Sequence, residues 1–254
     1  MKKIRLILLF VLFCNLITAQ KYNVGLTFSG GLNMTKVNTE KYNARNGTDL
    51  NVGINIVKNY NQHTGFNFGF EFNQNNFSYI NNEKLFYFYD DKMILSKENE
   101  NEKTNKFEFK ERTYKAIYIT IPTLILIRSN ELKYSHLRII SKFGMKHSFN
   151  LKNNVTDISP TEIKHQDFTL NKDLALYKGS IGISGGVETT LQSALNGVIE
   201  IGYYYGYMNI HRGNALFGDK DKNKTSIILN SNPLEYRNYT ANQHQIELKL
   251  TILF

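Results

Sequence analysis

The chain ends in an eleven-residue segment, His244–Phe254, whose side chains alternate between apolar and polar. Successive side chains of a strand point to opposite faces, so this segment has one apolar and one polar face. The apolar face holds Ile246, Leu248, Leu250, Ile252 and Phe254, and the polar face holds Gln245, Glu247, Lys249 and Thr251. Such a strand fits a wall between hydrocarbon and water. The pattern predicts a β-protein that ends on a membrane strand.

The other end of the chain has the features of an export signal. Three basic residues at positions 2, 3 and 5 precede an apolar run from Leu6 to Ile17, and Thr18-Ala19-Gln20 supplies small residues for cleavage. This order is typical of a Sec signal peptide. A membrane anchor is the alternative, but about a dozen apolar residues fall short of the roughly 20 that a spanning helix needs. We predict a cleaved signal over residues 1–20 that takes Cys14 with it.

The composition of the remaining chain excludes several protein classes. Removing residues 1–20 lowers the net charge from +9 to +6, because the signal holds three basic and no acidic residues. The basic residues are dispersed, which argues against nucleic-acid binding. A mature chain without cysteine has no disulfide framework. Trp is absent, but 16 Tyr and 17 Phe can supply interfacial girdles. We predict a single domain over residues 21–254.

A period-two pattern recurs along the whole mature chain. Around Phe70, for example, phenylalanines at every second position alternate with Asn67, Gly69, Glu71 and Asn73. No apolar run after residue 20 is long enough for a spanning helix, whereas barrel strands need only about 10 alternating residues. The pattern predicts eight strands, at about residues 22–37, 50–58, 66–73, 114–128, 137–150, 176–191, 197–210 and 244–254.

The predicted connections alternate between short and long. The short ones cover residues 59–64, 129–136 and 192–196, and the long ones cover 38–49, 76–113, 151–175 and 211–243. This alternation predicts an all-β, eight-stranded antiparallel up-and-down transmembrane β-barrel with short periplasmic turns and long extracellular loops. A ten-stranded barrel stays open if residues 84–93 form an extra hairpin. Otherwise these residues extend existing strands beyond the membrane.

Several segments resemble the PorT-like outer-membrane β-barrel family of Bacteroidetes. The similar segments are Gly25–Asn33, Tyr118–Leu124, Gly179–Glu188, Gly202–Ile210 and the terminal Phe254. They span the mature chain in the family's order, and the Tyr-x-x-Ile-Pro pattern of the second is the most specific. Many members carry an acidic residue before Ile-Pro, where this chain has Thr120. The resemblance implies an integral outer-membrane barrel, and it implies a place in type IX secretion only for the relative that names the family.

In the outer membrane, the terminal strand is expected to have a second role. Outer-membrane barrels end on an aromatic residue like Phe254, and the barrel-assembly machinery is the expected partner during biogenesis. Leu248, Leu250, Ile252 and Phe254 are therefore predicted to form the targeting strand. Outer-membrane lipid is the other expected partner.

The polar faces of the predicted strands carry charges of both signs. An eight-stranded barrel is about narrow enough to be filled by its own side chains. We therefore predict a structural ion-pair network in the lumen, formed by Glu71, Arg138, Lys142, Glu188, Glu200, Glu247 and Lys249. The alternative is a proton or solute path. Glu188 and Glu200 could also be a general acid/base pair, but basic neighbours favour plain carboxylates. Pro122, which also faces inward, predicts a bulge or an irregular edge.

Signals for metal binding and catalysis are weak. The six histidines stand singly, without zinc-site spacing. Asp219-Lys-Asp-Lys-Asn223 resembles the start of a calcium loop but lacks the required Gly and the final Glu. An enzyme would need a cluster at the outer rim, for which His165 with Asp167, or His211 with Asp219, are the candidates. We predict no enzyme, cofactor or metal site.

The predicted function therefore lies in the long loops. A structural or binding barrel, with a possible envelope protein as its partner, fits all the patterns above. An accessory component of a secretion or surface-assembly machine follows from the family resemblance. An outer-membrane enzyme or a small pore remains open as a third class.

Overall fold

The alternating segments form a closed β-barrel. The computed structural model describes residues 22–38, 42–88, 106–133, 135–161, 164–167, 174–192, 195–211 and 240–254. The predicted signal peptide, the segment Asp219–Asn223 and much of the long loops lie outside these residues. Within the described part, no helix is long and apolar enough to cross a bilayer.

Ten strands occur in the described residues. They are β1 (Tyr22–Val37), β2 (Tyr42–Arg45), β3 (Gly47–Asn59), β4 (Thr64–Phe88), β5 (Lys106–Arg128), β6 (Leu137–Ile158), β7 (Lys164–Asp167), β8 (Tyr177–Gln192), β9 (Leu195–Gly206) and β10 (Ala241–Leu253). Eight of them, all except β2 and β7, pair antiparallel in a ring that the pairing of β4 with β5 closes. The predicted eight-stranded antiparallel barrel is confirmed.

The strands are strongly tilted. Successive paired residues lead from Val24 on β1 once around the barrel, through Ile56, Phe68, Thr123, Met145, Ile181, Tyr205 and His244. This path returns to β1 at Met34, ten residues beyond its start. A stagger of this size requires the strands to tilt by roughly 35–45° from the barrel axis. The small number of strands leaves an interior that side chains can fill.

The two ends of the barrel differ. At one end, called the turn end, lie the three short connections together with Tyr22 and Phe254. The β3–β4 turn is held by Asn61, whose Oδ1 accepts hydrogen bonds from the backbone N–H groups of His63 (2.8 Å) and Thr64 (2.7 Å). Such an Asx turn replaces backbone pairing at the tip. The opposite end, called the loop end, carries the long connections.

Three strands continue beyond the predicted length at the loop end. The expected loop 76–113 is wrong over much of its range, because β4 extends to Phe88 and pairs with β5 from Lys106 onward. β6 likewise runs to Ile158 rather than ending near residue 150, whereas β9 stops at Gly206, before the predicted residue 210. β2 and β7 pair with the extended parts of β4 and β6. Residues 84–88 thus extend a barrel strand and do not add a hairpin to the barrel.

The sheet is interrupted at one place and irregular at another. The β4–β5 ladder has no paired residues between Phe68–Thr123 and Glu71–Thr120, but its register is the same on both sides. Pro122 lies in this gap and has no N–H to donate, so the pairing is interrupted without a bulge. The register shift of β5 lies instead against β6, between Ile117 and Tyr118.

The outward surface of the barrel is apolar all around. Every barrel strand contributes exposed large apolar side chains, among them Leu26 and Phe28 on β1, Val52 and Ile54 on β3, Phe70 and Phe72 on β4, Ile125 and Ile127 on β5, Ile139 and Phe143 on β6, Ile181 and Ile183 on β8, Ile199 and Ile201 on β9, and Leu248 and Leu250 on β10. We call this surface the apolar belt. The polar side chains of the same strands point into the barrel, so the usual arrangement of a globular protein is inverted.

Candidate functional site

Buried side chains of the described residues form three layers inside the barrel. The turn-end apolar layer consists of Val57, Leu126, Ile140, Val198 and Leu253. The loop-end aromatic layer is built around Phe77, Tyr79, Tyr114 and Tyr118, with Ala116, Val155, Leu174, Ile210 and Ala241. Between them lies a central ionic layer. Many polar and charged side chains of the described strands are buried in the lumen, which is therefore the candidate site.

A chain of ion pairs crosses the centre of the lumen. Lys146 Nζ donates to Glu247 Oε1 at 2.6 Å, and Lys249 Nζ lies 3.4 Å from the same oxygen. Lys249 Nζ also donates to Glu71 Oε1 at 2.8 Å. β10 places Glu247 and Lys249 on one face, because side chains two positions apart on a strand point in the same direction. These four side chains tie β4, β6 and β10 together across the barrel.

Two further ion pairs lie nearer the turn end. Lys142 Nζ donates to Glu200 Oε2 at 2.5 Å, and Ser184 Oγ donates to the other oxygen of Glu200 at 2.9 Å. Arg128 Nε donates to Glu188 Oε2 at 2.6 Å, while its Nη1 donates to Asn59 at 2.7 Å. Glu188 and Glu200 therefore belong to separate ion pairs and do not form a carboxyl pair.

Two lysines also contact aromatic rings. Lys146 Nζ lies 3.8 Å from the ring centroid of Tyr204. Lys178 Nζ lies 4.2 Å from the ring centroid of Tyr118 and donates to Gln243 Oε1 at 3.0 Å. An ammonium group over an aromatic face is attracted to it, most strongly where water is excluded. The inward tyrosines therefore join the ionic layer to the aromatic layer above it.

Amide side chains surround a further buried carboxylate, Asp49. Asn51 Nδ2 donates to Asp49 Oδ2 at 3.1 Å, and the side chains of Asn73 and Gln245 donate to the two oxygens of Asp49. Higher in the barrel, Asn75 Nδ2 donates to Gln243 Oε1 at 2.8 Å. The asparagines of the alternating segments thus satisfy polar groups inside the barrel.

The charges in the lumen balance. Six carboxylates are buried among the described residues, namely Asp49, Glu71, Asp157, Glu188, Glu200 and Glu247. Five buried bases and the half-buried Lys178 match them, the five being Arg112, Arg128, Lys142, Lys146 and Lys249. Buried charges are tolerated when they are paired and hydrogen-bonded. This balance is what a filled lumen requires, whereas a selective ion path favours an excess of one sign.

The rings of the aromatic layer pack closely against one another at the loop end of the lumen. The rings of Phe77 and Tyr114 stack at 4.9 Å between centroids, and Tyr79 packs edge-on against both. Tyr79 Oη and His211 Nε2 are 2.8 Å apart. Above them, Arg112 and Asp157 form a two-pronged ion pair with N–O distances of 2.7 and 2.8 Å.

A small cavity remains between the ionic and the aromatic layers. It has a volume of about 20 Å³, and Glu71, Asn73, Lys146 and Tyr204 are among its lining residues. Glu71 Oε2 and Asn73 Oδ1 have no hydrogen-bond partner in the protein. About 10–15 Å³ is enough for one water molecule when polar partners are present. The cavity suits bound water, and it is much smaller than a pocket for an organic ligand.

Six of the seven residues assigned to the lumen network from the sequence lie inside the barrel in ion pairs. Arg138 is the exception and corrects that assignment. The side chain of Arg138 points inward, but it lies at the turn-end rim, where it is 35% exposed. There Arg138 Nη2 donates to Glu131 Oε1 at 2.6 Å. Its position next to the β5–β6 turn, where water is accessible, explains why it leaves the network.

Several lumen residues were not assigned from the sequence. The missing partners are Arg128, Lys146, Lys178 and Asp49, together with Tyr118 and Tyr204. Lys146, Lys178 and Tyr204 lie on the same alternating face as an assigned residue, and Tyr118 and Arg128 share the inward face of Pro122. Strand parity could therefore have identified these five, whereas Asp49 precedes the predicted start of its strand at residue 50. Parity alone does not reveal which charged side chains pair across the lumen, because the pairing depends on the stagger of the strands.

The other candidate residues have varied positions. Leu248, Leu250, Ile252 and Phe254 are exposed on the apolar belt. His211 lies buried in the aromatic layer, while its proposed partner Asp219 lies outside the described residues. The side chains of His165 and Asp167, on β7, also lie outside the described part. Among the described residues, no group of three His, Cys, Asp or Glu side chains could hold a metal ion.

Comparison with known proteins finds similarity to solved structures only. No protein-family model matches the chain, and no curated protein matches its sequence. Solved structures similar to it include the attachment invasion locus protein Ail of Yersinia pestis, with 9% identity, a TM-score of 0.35 and coverage of 91% of this chain and 99% of Ail. Neisserial surface protein A has 7% identity, a TM-score of 0.32 and coverage of 90% and 96%. The translocator domain of autotransporter NalP from Neisseria meningitidis has 7% identity and a TM-score of 0.33, with coverage of 94% of this chain and 91% of the domain. Likeness of this size carries no argument about function.

Proposed function

We propose that the protein is an integral outer-membrane β-barrel with a filled, non-conducting lumen and no enzymatic activity. The apolar belt carries this proposal. The largest apolar patch on a soluble monomer covers roughly 300–600 Å², whereas here apolar side chains surround the whole barrel. Only a closed barrel can place strands in lipid without unpaired backbone groups.

The edges of the belt support the same proposal. At the loop end of β8, β9 and β10, tyrosines and a histidine follow the aliphatic residues on the outward face: Tyr177, Tyr203, Tyr205, Tyr207 and His244. At the turn end, Lys58 Nζ lies 5.7 Å from the ring centroids of both Tyr22 and Tyr60. Rings with one polar atom favour the boundary between lipid and water, and a lysine can reach outward from it.

Export by the Sec signal and assembly through the terminal strand complete this proposal. The lipid-facing residues of β10 end at Phe254, which is the arrangement expected of a strand that the barrel-assembly machinery reads. We assign the chain to the PorT-like family on the sequence resemblance given above. A role in secretion or surface assembly is the alternative function.

We place the biological activity in the loop-end extension. β4, β5 and β6 extend beyond the belt, and β2 and β7 widen them into a five-stranded sheet. A filled lumen offers no site for a solute, whereas a sheet held above the membrane offers a surface for an envelope protein. Recovery of the native protein with a large envelope complex would favour the secretion alternative.

Single-cysteine labelling tests the topology. Lys110 and Gln62 are exposed at the loop and turn ends, respectively. The sequence has one cysteine, Cys14, which is removed with the signal peptide, so Lys110→Cys and Gln62→Cys create single reporters. An impermeant maleimide should label Lys110→Cys in intact cells, and Gln62→Cys only after lysis. Labelling of Gln62→Cys in intact cells would contradict the orientation, and absence of the protein from outer-membrane fractions would contradict the location.

A further inference from the structure

The outward lysines above the apolar belt form an uneven distribution of charge. On β1, β5 and β6 the first charged outward residue beyond the belt on the loop side is a lysine: Lys36, Lys115 and Lys152, respectively. All three are exposed. The first described outward carboxylate, Glu111, lies four residues beyond Lys115 and pairs with Arg45 at 3.3 Å. The edge of the belt is therefore positive where the outer leaflet ends.

Two of these lysines are neighbours. β5 and β6 pair Lys115 with Asn154 and Ile117 with Lys152, so the two lysines are diagonal neighbours on the outward face. Such positions are roughly 7–8 Å apart in an antiparallel sheet. Neither lysine makes an ion pair with another residue of the described chain. We call this pair the lysine ridge.

We propose that the lysine ridge binds the phosphate of a lipid headgroup in the outer leaflet. This inference rests on the proposed outer-membrane location. Two neighbouring ammonium groups repel each other unless an anion lies between them, and a phosphate can accept hydrogen bonds from both. The outward Asn154 and Thr113 offer further donors beside them.

The surface below the ridge fits the lipid rather than a free ion. Ile117, Phe149 and Leu151 are 39%, 41% and 55% exposed directly on its belt side. An acyl chain can lie on them while the phosphate reaches the ridge. Lys36, like the two ridge lysines, is the first charged outward residue beyond the apolar residues of its strand. However, β1 pairs with β3 and β10, and neither strand brings a second lysine beside Lys36. Lys36 therefore serves as the matched control.

Native mass spectrometry of the mature protein in detergent tests the proposal, with diphosphoryl lipid A as the probe. A basic residue near an anionic lipid surface changes binding about fivefold, so Lys115→Gln/Lys152→Gln should weaken lipid A binding about thirtyfold. Lys36→Gln should weaken it less than about fivefold, and Lys115→Arg/Lys152→Arg should keep the affinity. Heat-modifiable gel mobility reports whether each variant remains folded.

Three results would overturn the proposal. Equal losses for Lys36→Gln and the double glutamine variant would show general charge attraction. Equal binding of dephosphorylated lipid A would remove the phosphate from the interaction. Full competition by millimolar inorganic phosphate would assign the ridge to a free anion. Because the wild-type protein is tested in detergent, these results are independent of the cell fractionation that tests the outer-membrane location.

Discussion

The central ionic layer and the loop-end aromatic layer lie in the same barrel but are held together by opposite chemistry. In the ionic layer, Glu247 Oε1 lies 2.6 Å from Lys146 Nζ and 3.4 Å from Lys249 Nζ, so opposite charges compensate each other. In the aromatic layer, Phe77 and Tyr114 are almost fully buried and pack by ring contact. Removing one member of a charge network leaves an unpaired charge, whereas removing a ring leaves a cavity. The two layers therefore respond differently to substitution.

The change between the layers follows single strands. On β10, the inward residues pass from Lys249 and Glu247 through Gln243 to Ala241 as the strand approaches the loop end. Charged inward side chains are concentrated where the outside is apolar. Farther out, where aromatic residues can pack against loops, the interior becomes apolar. The central ionic layer thus lies in the section that the belt surrounds, while the buried ion pair of Arg112 and Asp157 lies above the aromatic layer.

The largest effect is expected for the central carboxylate. Glu247→Gln removes the partner of Lys146 and a neighbour of Lys249, leaving buried positive charge without compensation. The free energy of unfolding should fall by about 3–5 kcal/mol. Urea unfolding of the protein in lipid vesicles measures this change. Glu131→Gln, which breaks the exposed pair with Arg138, is the control and should cost at most about 1 kcal/mol. Equal costs for both variants would show that the ionic layer does not stabilise the fold.

A slightly smaller effect is expected in the aromatic layer. Phe77→Ala removes a ring stacked on Tyr114 and should cost about 3 kcal/mol in the same unfolding experiment. Phe77→Leu, which keeps most of the volume, should cost less than about 1.5 kcal/mol. If Phe77→Ala cost no more than Phe77→Leu, the layer would not be closely packed.

The smallest effect is expected when a charge pair is exchanged as a unit. Glu200→Gln leaves Lys142 buried without its carboxylate and should be clearly destabilising, whereas Lys142→Met/Glu200→Leu should change stability by less than about 2 kcal/mol. A double-mutant cycle over the two positions measures the coupling. A double variant that is less stable than Glu200→Gln would contradict the interpretation that the ionic layer needs balance rather than charge.

Much of the fold follows from period-two alternation. The phenylalanines of β4 and the aliphatic residues of β10 define their outward faces without any structural information, and both lie on the apolar belt. The loop-end extensions were less predictable. Residues 76–88 carry polar and aromatic side chains at positions of both parities, and only pairing with β5 shows that they continue the strand.

The site was predictable in composition but not in connectivity. Glu71 and Lys249 are assigned inward by parity, yet 178 residues separate them in the sequence. Their contact depends on the stagger of the closed barrel, which no local pattern encodes. Arg138 shows the converse, because parity gives its direction but not its height at the rim. The aromatic layer depends on the same strands and on Ile210 and His211, beyond the end of β9.

Single-channel recording in a planar bilayer tests the filled lumen most directly. We propose that the turn-end apolar layer, the balanced ionic layer and the aromatic layer fill the lumen, and the cavity lined by Glu71 and Lys146 has a volume of about 20 Å³. The wild-type protein, inserted in folded form as judged by heat-modifiable mobility, should therefore show no stable stepwise conductance. Reproducible steps of porin size from the folded wild-type protein would contradict the account.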